Sequence, residues 1–266
     1  MTTVGFIGLG SQGGPMARRI IDAGYPTLLW ARRSEALEPF ADSAATAVDS
    51  IAELGARADL VGICVVDDAG VQQICNELIP AMSAGSVIVI HSTIRPETCR
   101  RLAAQAGERG VSLIDAPVSG GGAGAAAGTL TVMVGGETDA VERARPVLES
   151  FAGLIVHLGA VGAGQMAKLV NNALMAAHVA IAHSGLEAAA ALGIDRAALI
   201  ELVKVSSGRS FGFEVCSRLS APSAWKHGAA LLAKDVRLLG EALGDAPAVA
   251  QFRDVTAPFF AAALKD

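Results

Sequence analysis

Lys168 stands in the stretch GAGQMAKLVNNAL, residues 162–174, among residues that are otherwise small and apolar. Asn172 follows four residues later, which on a helix places the two side chains on one face, one turn apart. Burying an ammonium is costly unless chemistry requires it there. One such chemistry is proton exchange: oxidising an alcohol needs a proton acceptor as hydride leaves, and the reverse reaction needs a donor to the forming alkoxide. A free Lys, with a pKa of about 10.4, is a poor base at neutral pH. Burial and a nearby cation both lower it. Asn172 adds a hydrogen-bond donor and acceptor without adding charge. The competing reading is a Lys that snorkels to solvent from an amphipathic helix.

A second group lies at the N-terminus. GFIGLGSQGG carries Gly8-x-Gly10-x-x-Gly13 directly after a strand-like run and before a helical one. Such glycines permit a tight turn and close approach of backbone amides to a pyrophosphate at a helix N-terminus. Ser11 and Gln12, between the second and third glycines, complete the cofactor-binding stretch. NAD sites place an acid about 20 residues on, to hold the ribose 2′-hydroxyl. Here the second strand ends Trp30-Ala31-Arg32-Arg33-Ser34, with no acid before Glu35. Two guanidiniums and a hydroxyl suit a 2′-phosphate, so NADP is expected over NAD.

The run SGGGAGAAAG, residues 119–128, reads either as a flexible linker or as a turn whose successive amides form an anion-binding nest, with Ser119, Gly120 and Gly121 as the functional part. The four cysteines form no C-x-x-C pair and match no zinc spacing, so they read as reduced thiols. His91, His157, His178, His183 and His227 share no metal-ligand spacing, and no metal site is expected.

These groups need elements to position them. Hydrophobic residues make up 52% of the 266 and charged residues 18%, enough apolar material for a large core. The net charge of −5 gives no general attraction for nucleic acid or an anionic membrane surface, so any bound anion needs a local site. The first half alternates strand-like and helical stretches. VGFIGLG, PTLLWARR, DLVGICVV, SVIVIHS, VSLIDAPV, TLTVMVGG and GLIVHLG are the strand-like runs. Continuous Val/Ile/Leu runs suit strands covered on both faces, which predicts a Rossmann-type, doubly wound parallel sheet over 1–160. From Gly164 to Gly193 the chain runs without Pro, a helix of roughly 45 Å. Only helical segments follow, so 161–266 is expected to be an all-α domain joined through that long interdomain helix. No basic leader or cleavage site precedes the first strand, and the most membrane-like stretch contains His178, His183 and Glu187. A cytoplasmic protein is the expectation.

Taken together, GFIGLGSQGGPMA, STIRPET, DAPVSGG with GTLTVMVGG, GAGQMAKLVNN and AKDVRLL resemble, in order and spacing, the β-hydroxyacid dehydrogenase family, whose members include 3-hydroxyisobutyrate dehydrogenase. The resemblance spans almost the whole chain. It implies that Lys168 is the catalytic Lys and Asn172 the neighbour that holds substrate. It implies that Ser119, Gly120 and Gly121 bind the substrate carboxylate, that Thr93 lies near the nicotinamide, and that Val65 and Val66 are the backbone stretch beside the cofactor. Lys234 would close over the cofactor from the helical domain. Gln12 departs from the family's usual Met, and the chain ends FFAAALKD where members commonly carry a longer Gly- and Asp-containing tail. The expected activity is NADP-dependent oxidation of a small 3-hydroxy acid or reduction of its semialdehyde, in a homodimer or homotetramer. An imine reductase on the same fold and a non-catalytic NADP-binding scaffold are the alternatives.

Overall fold

The computed structural model describes residues 1–244 and 246–265. The chain divides by its contacts into two units, Met1–Lys168 and Leu169–Asp266.

In the first unit the elements alternate: β1 (Val4–Ile7), α1 (Gly13–Asp22), β2 (Thr27–Trp30), a 3-10 helix at Ser34–Phe40, β3 (Thr46–Ala47), α2 (Ile51–Arg57), β4 (Leu60–Ile63), α3 (Asp68–Ala81), β5 (Val87–Ile90), α4 (Pro96–Gly107) and β6 (Ser112–Asp115). The six strands form one parallel sheet in the order β3-β2-β1-β4-β5-β6. Every residue of β1, β4 and β5 is buried, which explains their unbroken apolar character. Val87 and Val89 enter one core with Phe6, Met16 and Phe151, while Ile88 and Ile90 enter the other with Val61, Leu78 and Leu102. Strand order reverses between β1 and β4, and the crevice at the carboxyl ends of such strands is where open α/β sheets bind ligands.

The next strand-like runs do not extend that sheet. β7 (Val118–Ser119), α5 (Gly121–Ala127), β8 (Leu130–Val134), α6 (Thr138–Leu148) and β9 (Ala152–His157) follow, and the three strands make a separate sheet. β7 pairs antiparallel with β8, and one isolated bridge, Asp115 to Gly135, ties this sheet to β6. The reason is visible in β8, which alternates buried and half-buried residues and so covers only one face with core. The Gly/Ala run is neither linker nor open loop. Its Ala-rich part forms α5, which Gly128 ends in the left-handed conformation.

α7 (Ala163–Ala191) starts in the first unit and continues into the second for a total of 29 residues. It closes in a Schellman arrangement, with Ile194 N–H donating to Ala189 C=O at 2.9 Å and Gly193 N–H to Ala190 C=O at 3.0 Å. The second unit adds α8 (Arg196–Val205), α9 (Phe211–Ser217), a 3-10 turn at Pro222–Trp225, α10 (Lys226–Leu243) and α11 (Pro247–Ala263). Val179, Leu186, Phe213 and Phe259 centre one of its cores; Leu169, Ala173, Leu232 and Val236 centre the other. Among the described residues no helix is long and apolar enough to cross a membrane.

Candidate active site

The loop from β1 to α1 uses its three glycines differently. Gly8 has φ +100°, and a Cβ there would lie 2.1 Å from the Cys64 carbonyl oxygen. A Cβ on Gly13 would lie 2.0 Å from the Gly8 carbonyl oxygen, whereas one on Gly10 would meet nothing within 4 Å. The outer two glycines thus let the loop fold onto β4 and onto itself, and the middle one leaves backbone open to an incoming group. That is the division of labour a dinucleotide's pyrophosphate requires, so the residues present fit such a cofactor. The first turn of α1 carries no acid, and the Gln12 side chain makes no capping hydrogen bond, so the helix N-terminus keeps its affinity for an anion. Ser11 is exposed and Gln12 half-buried on this loop.

Arg32, Arg33 and Ser34 are exposed where β2 passes into the 3-10 helix. Among the described residues no side-chain hydrogen bond or ion pair engages either guanidinium. Beyond β4, Val65 donates its N–H to Ser92 Oγ at 2.8 Å, and Val66 is 75% exposed. Thr93 is half-buried in the loop after β5. Asp68 holds the far end of that loop, accepting from Arg95 N–H at 3.1 Å and from Thr98 Oγ1 at 2.7 Å. Cys64, beside the glycine loop, has its thiol pushed up to about 12 by burial and is inert as a nucleophile at neutral pH. His91, stacked on Phe6 and accepted by the Ala116 carbonyl, is lowered to about 4 by burial and stays neutral.

Ser119 ends β7, and Gly120 (φ +130°) and Gly121 (φ +64°) turn the chain into α5. A Cβ on Gly122 would lie 2.4 Å from the Ser11 carbonyl oxygen. The segment expected to hold a carboxylate therefore begins where α5 touches the glycine loop expected to hold the dinucleotide. Lys168, 9% exposed, lies in the second turn of α7. The turn before it is anchored by Asp115, which is fully buried and accepts from Gly162 N–H at 2.6 Å and Gln165 N–H at 2.7 Å. Burial raises the Asp115 carboxyl from 3.8 to about 6 against the lowering effect of these hydrogen bonds and of Arg100.

In the second unit Asn172 donates through Nδ2 to Asp235 Oδ2 at 2.5 Å and accepts from Asn171 Nδ2 at 3.1 Å. Lys234 Nζ lies 3.3 Å from Asp235 Oδ1, and Asp235 is 3% exposed. The carboxylate of Asp235 thus joins the two residues of this unit expected to serve the site. Sequence reasoning assigned Lys234 and passed over the adjacent Asp235. It also assigned no role to Asp115 or Gln165. The available signals were an acid closing an apolar strand, and an amide three residues before Lys168 on the same helical face.

The family model for the NAD-binding domain of 6-phosphogluconate dehydrogenase matches residues 3–162. That for the NAD-binding segment of NADP-dependent 3-hydroxyisobutyrate dehydrogenase matches residues 162–266. The chain belongs to the β-hydroxyacid dehydrogenase family, and its first domain is of the nicotinamide-dinucleotide-binding kind. It is 35% identical to the 3-hydroxyisobutyrate dehydrogenase of Pseudomonas aeruginosa, over 99% of this chain and 90% of that one. It is 36% identical to the NAD-dependent L-serine dehydrogenase of the same organism, over 91% and 85%. Its fold is similar to that of a Mycobacterium tuberculosis 3-hydroxyisobutyrate dehydrogenase solved with L-serine, with a TM-score of 0.86, 31% identity, and coverage of 100% of this chain and 96% of that one.

Proposed function

We propose that this chain is an NADP-dependent dehydrogenase of a small 3-hydroxy acid of the 3-hydroxyisobutyrate type, also able to reduce the corresponding semialdehyde. The observation that carries the proposal is Lys168, a buried ammonium-bearing side chain on a helix docked to the dinucleotide-binding sheet. The nicotinamide, when bound, supplies or accepts the hydride. Lys168, as the free amine, takes the hydroxyl proton during oxidation; as the ammonium, it donates a proton to the carbonyl oxygen during reduction. Ser119 Oγ and the N–H groups of Gly120 and Gly121 hold the substrate carboxylate. Asn172, oriented by Asp235, holds the substrate beside Lys168. In this reading Gly8, Gly10, Ser11 and Gly13 receive the pyrophosphate end of the cofactor, and Gln12 stands close to its nicotinamide. Val65, Val66 and Thr93 line its nicotinamide end, and Lys234 closes over it. The two unengaged guanidiniums of Arg32 and Arg33, with Ser34, support NADP over NAD. Residues 1–160 then form the cofactor domain and 161–266 the substrate and oligomerisation domain of a cytoplasmic homodimer or homotetramer.

The relatives support the substrate class, and L-serine, itself a 3-hydroxy acid, belongs on any substrate panel. The test follows reduced-nicotinamide absorbance with NADP⁺ or NAD⁺ and 3-hydroxyisobutyrate, L-serine and other 3-hydroxy acids, with Lys168→Ala alongside. The expected result is NADP⁺-dependent turnover that falls by about 10²–10⁴-fold in Lys168→Ala while dinucleotide binding is kept. Equal turnover in the variant would remove Lys168 from the chemistry. Silence of the wild type across the panel, with NADPH still bound, would transfer the assignment to imine reduction or to a non-catalytic binding role.

A further inference from the structure

Gln165 is a fully buried polar side chain that the proton-transfer scheme does not use. Its carboxamide makes two hydrogen bonds to backbone, Nε2 donating to the Ser92 carbonyl at 2.8 Å and Oε1 accepting from Ile94 N–H at 3.1 Å, and the side chain also meets the Cys99 thiol. Those two backbone groups flank Thr93, so the amide grips the loop on both sides of that residue. The Gln165 backbone N–H is held in turn by Asp115 Oδ2 at 2.7 Å. Ser92 passes the connection on, because its Oγ accepts from Val65 N–H at 2.8 Å. One continuous chain of hydrogen bonds therefore ties the carboxyl ends of β4, β5 and β6 to the first turn of α7.

From this arrangement we infer that Gln165 is a positioning residue, which sets the rotation and depth of the α7 turn carrying Lys168 relative to Thr93. The inference rests on the proposed hydroxy-acid chemistry at Lys168. Gln165 precedes Lys168 by three residues, so the two side chains lie on one helical face about one turn apart. A helix free to rotate by about 15° would swing an atom some 8 Å from its axis by about 2 Å, given the helix geometry. A displacement of about 1 Å at reacting atoms costs on the order of 10²-fold in rate. The residue type is specific to the task. The loop presents one acceptor and one donor, and among side chains of this length only a carboxamide offers the complementary pair without charge. Glu in its ionised form would accept from Ile94 but press a negative charge against the Ser92 carbonyl. Met would fill the volume and leave both backbone groups without partners.

The experiment compares wild type, Gln165→Met and Gln165→Glu by steady-state kinetics across pH, with folding checked by thermal unfolding. In parallel, acylation of Lys168 by an amine-reactive ester is followed by peptide mass spectrometry, with exposed Lys204 as the internal standard. The expected result is a fall in kcat of about tenfold or more in both variants, with the dinucleotide KM held within about threefold. In Gln165→Glu the activity relative to wild type should recover as pH falls, because a protonated Glu can again donate to Ser92. In Gln165→Met the ratio should stay flat with pH. A purely structural lesion would not produce that contrast. If Gln165→Met does not fold, the pH-dependent ratio of Gln165→Glu decides alone. Wild-type-like kcat in both variants, with unchanged Lys168 acylation, overturns the inference while leaving the proposed function standing. If wild type itself turns over no substrate, the proposed function fails, and the acylation rate then decides: a rise of about threefold or more in Gln165→Met supports the positioning role, and no rise removes it.

Discussion

Asp115 offers the most direct quantitative test of how the α7 turn is held. The carboxyl is raised from 3.8 to about 6, first by burial, with the Gly162 and Gln165 N–H groups and Arg100 pulling the other way. The Cys99 thiol on α4 is pushed well above its ordinary range, first by burial and then by the neighbouring Asp115. A folded-state pKa above the unfolded one means that the native protein holds the proton more tightly. The associated stability is fully present below the unfolded value and is lost as pH rises through the folded one. A rise from 3.8 to about 6 corresponds to about 3 kcal/mol in all, of which about 2 kcal/mol falls between roughly pH 4.5 and 7.5. Asp115→Asn does not titrate, so the stability of wild type minus that of the variant isolates this one group. The chain has two tryptophans, Trp30 in the first unit and Trp225 in the second. Urea unfolding followed by fluorescence on a Trp225→Phe background therefore reports on the unit that contains Asp115. The difference curve should fall with increasing pH over that window and flatten above it. A curve that rises instead would mean that the backbone donors and the helix N-terminus outweigh desolvation, and would refute the reasoning.

Two further outcomes follow from the cofactor loop. Gly10→Ala should leave thermal stability unchanged and weaken dinucleotide binding, because its Cβ meets only open space on the ligand side, whereas Gly13→Ala should cost about 1–3 kcal/mol by forcing the loop off the Gly8 carbonyl. Equal stability loss in both, by calorimetry, would contradict the different roles assigned to the two glycines. Replacing Arg32 and Arg33 together by Ala should weaken NADPH by about 10²-fold and NADH by only a few-fold in direct binding titrations, reflecting lost charge-assisted contacts to a 2′-phosphate; the same loss for both dinucleotides would sink the NADP preference.

Much of the frame is legible in the sequence. In the glycine pattern at 8, 10 and 13, Gly13 meets the nearby Gly8 carbonyl, while Gly8 meets the Cys64 carbonyl on the neighbouring strand's end. The fully buried strands announce themselves through unbroken apolar runs. The long helix is written in a Pro-free stretch closed by Gly193, whose capping bonds all lie within five residues. The Gly13 contact and the helix cap rest on sterics and hydrogen bonding between residues close in the chain, and the strands show in their own composition, so spacing and composition reveal all three. The tertiary structure decided what distance hides. Whether β8 joined the large sheet or a second one depended on which face found a core, and the fold alone set Gly122 of α5 against the Ser11 carbonyl. Gln165 meets Ser92 and Ile94 from 73 and 71 residues away, Asp115 meets Gly162 across 47, and Asn172 meets Asp235 across 63. A buried amide or carboxylate shows in sequence only that it will need partners; the fold alone determines which backbone groups arrive to satisfy it.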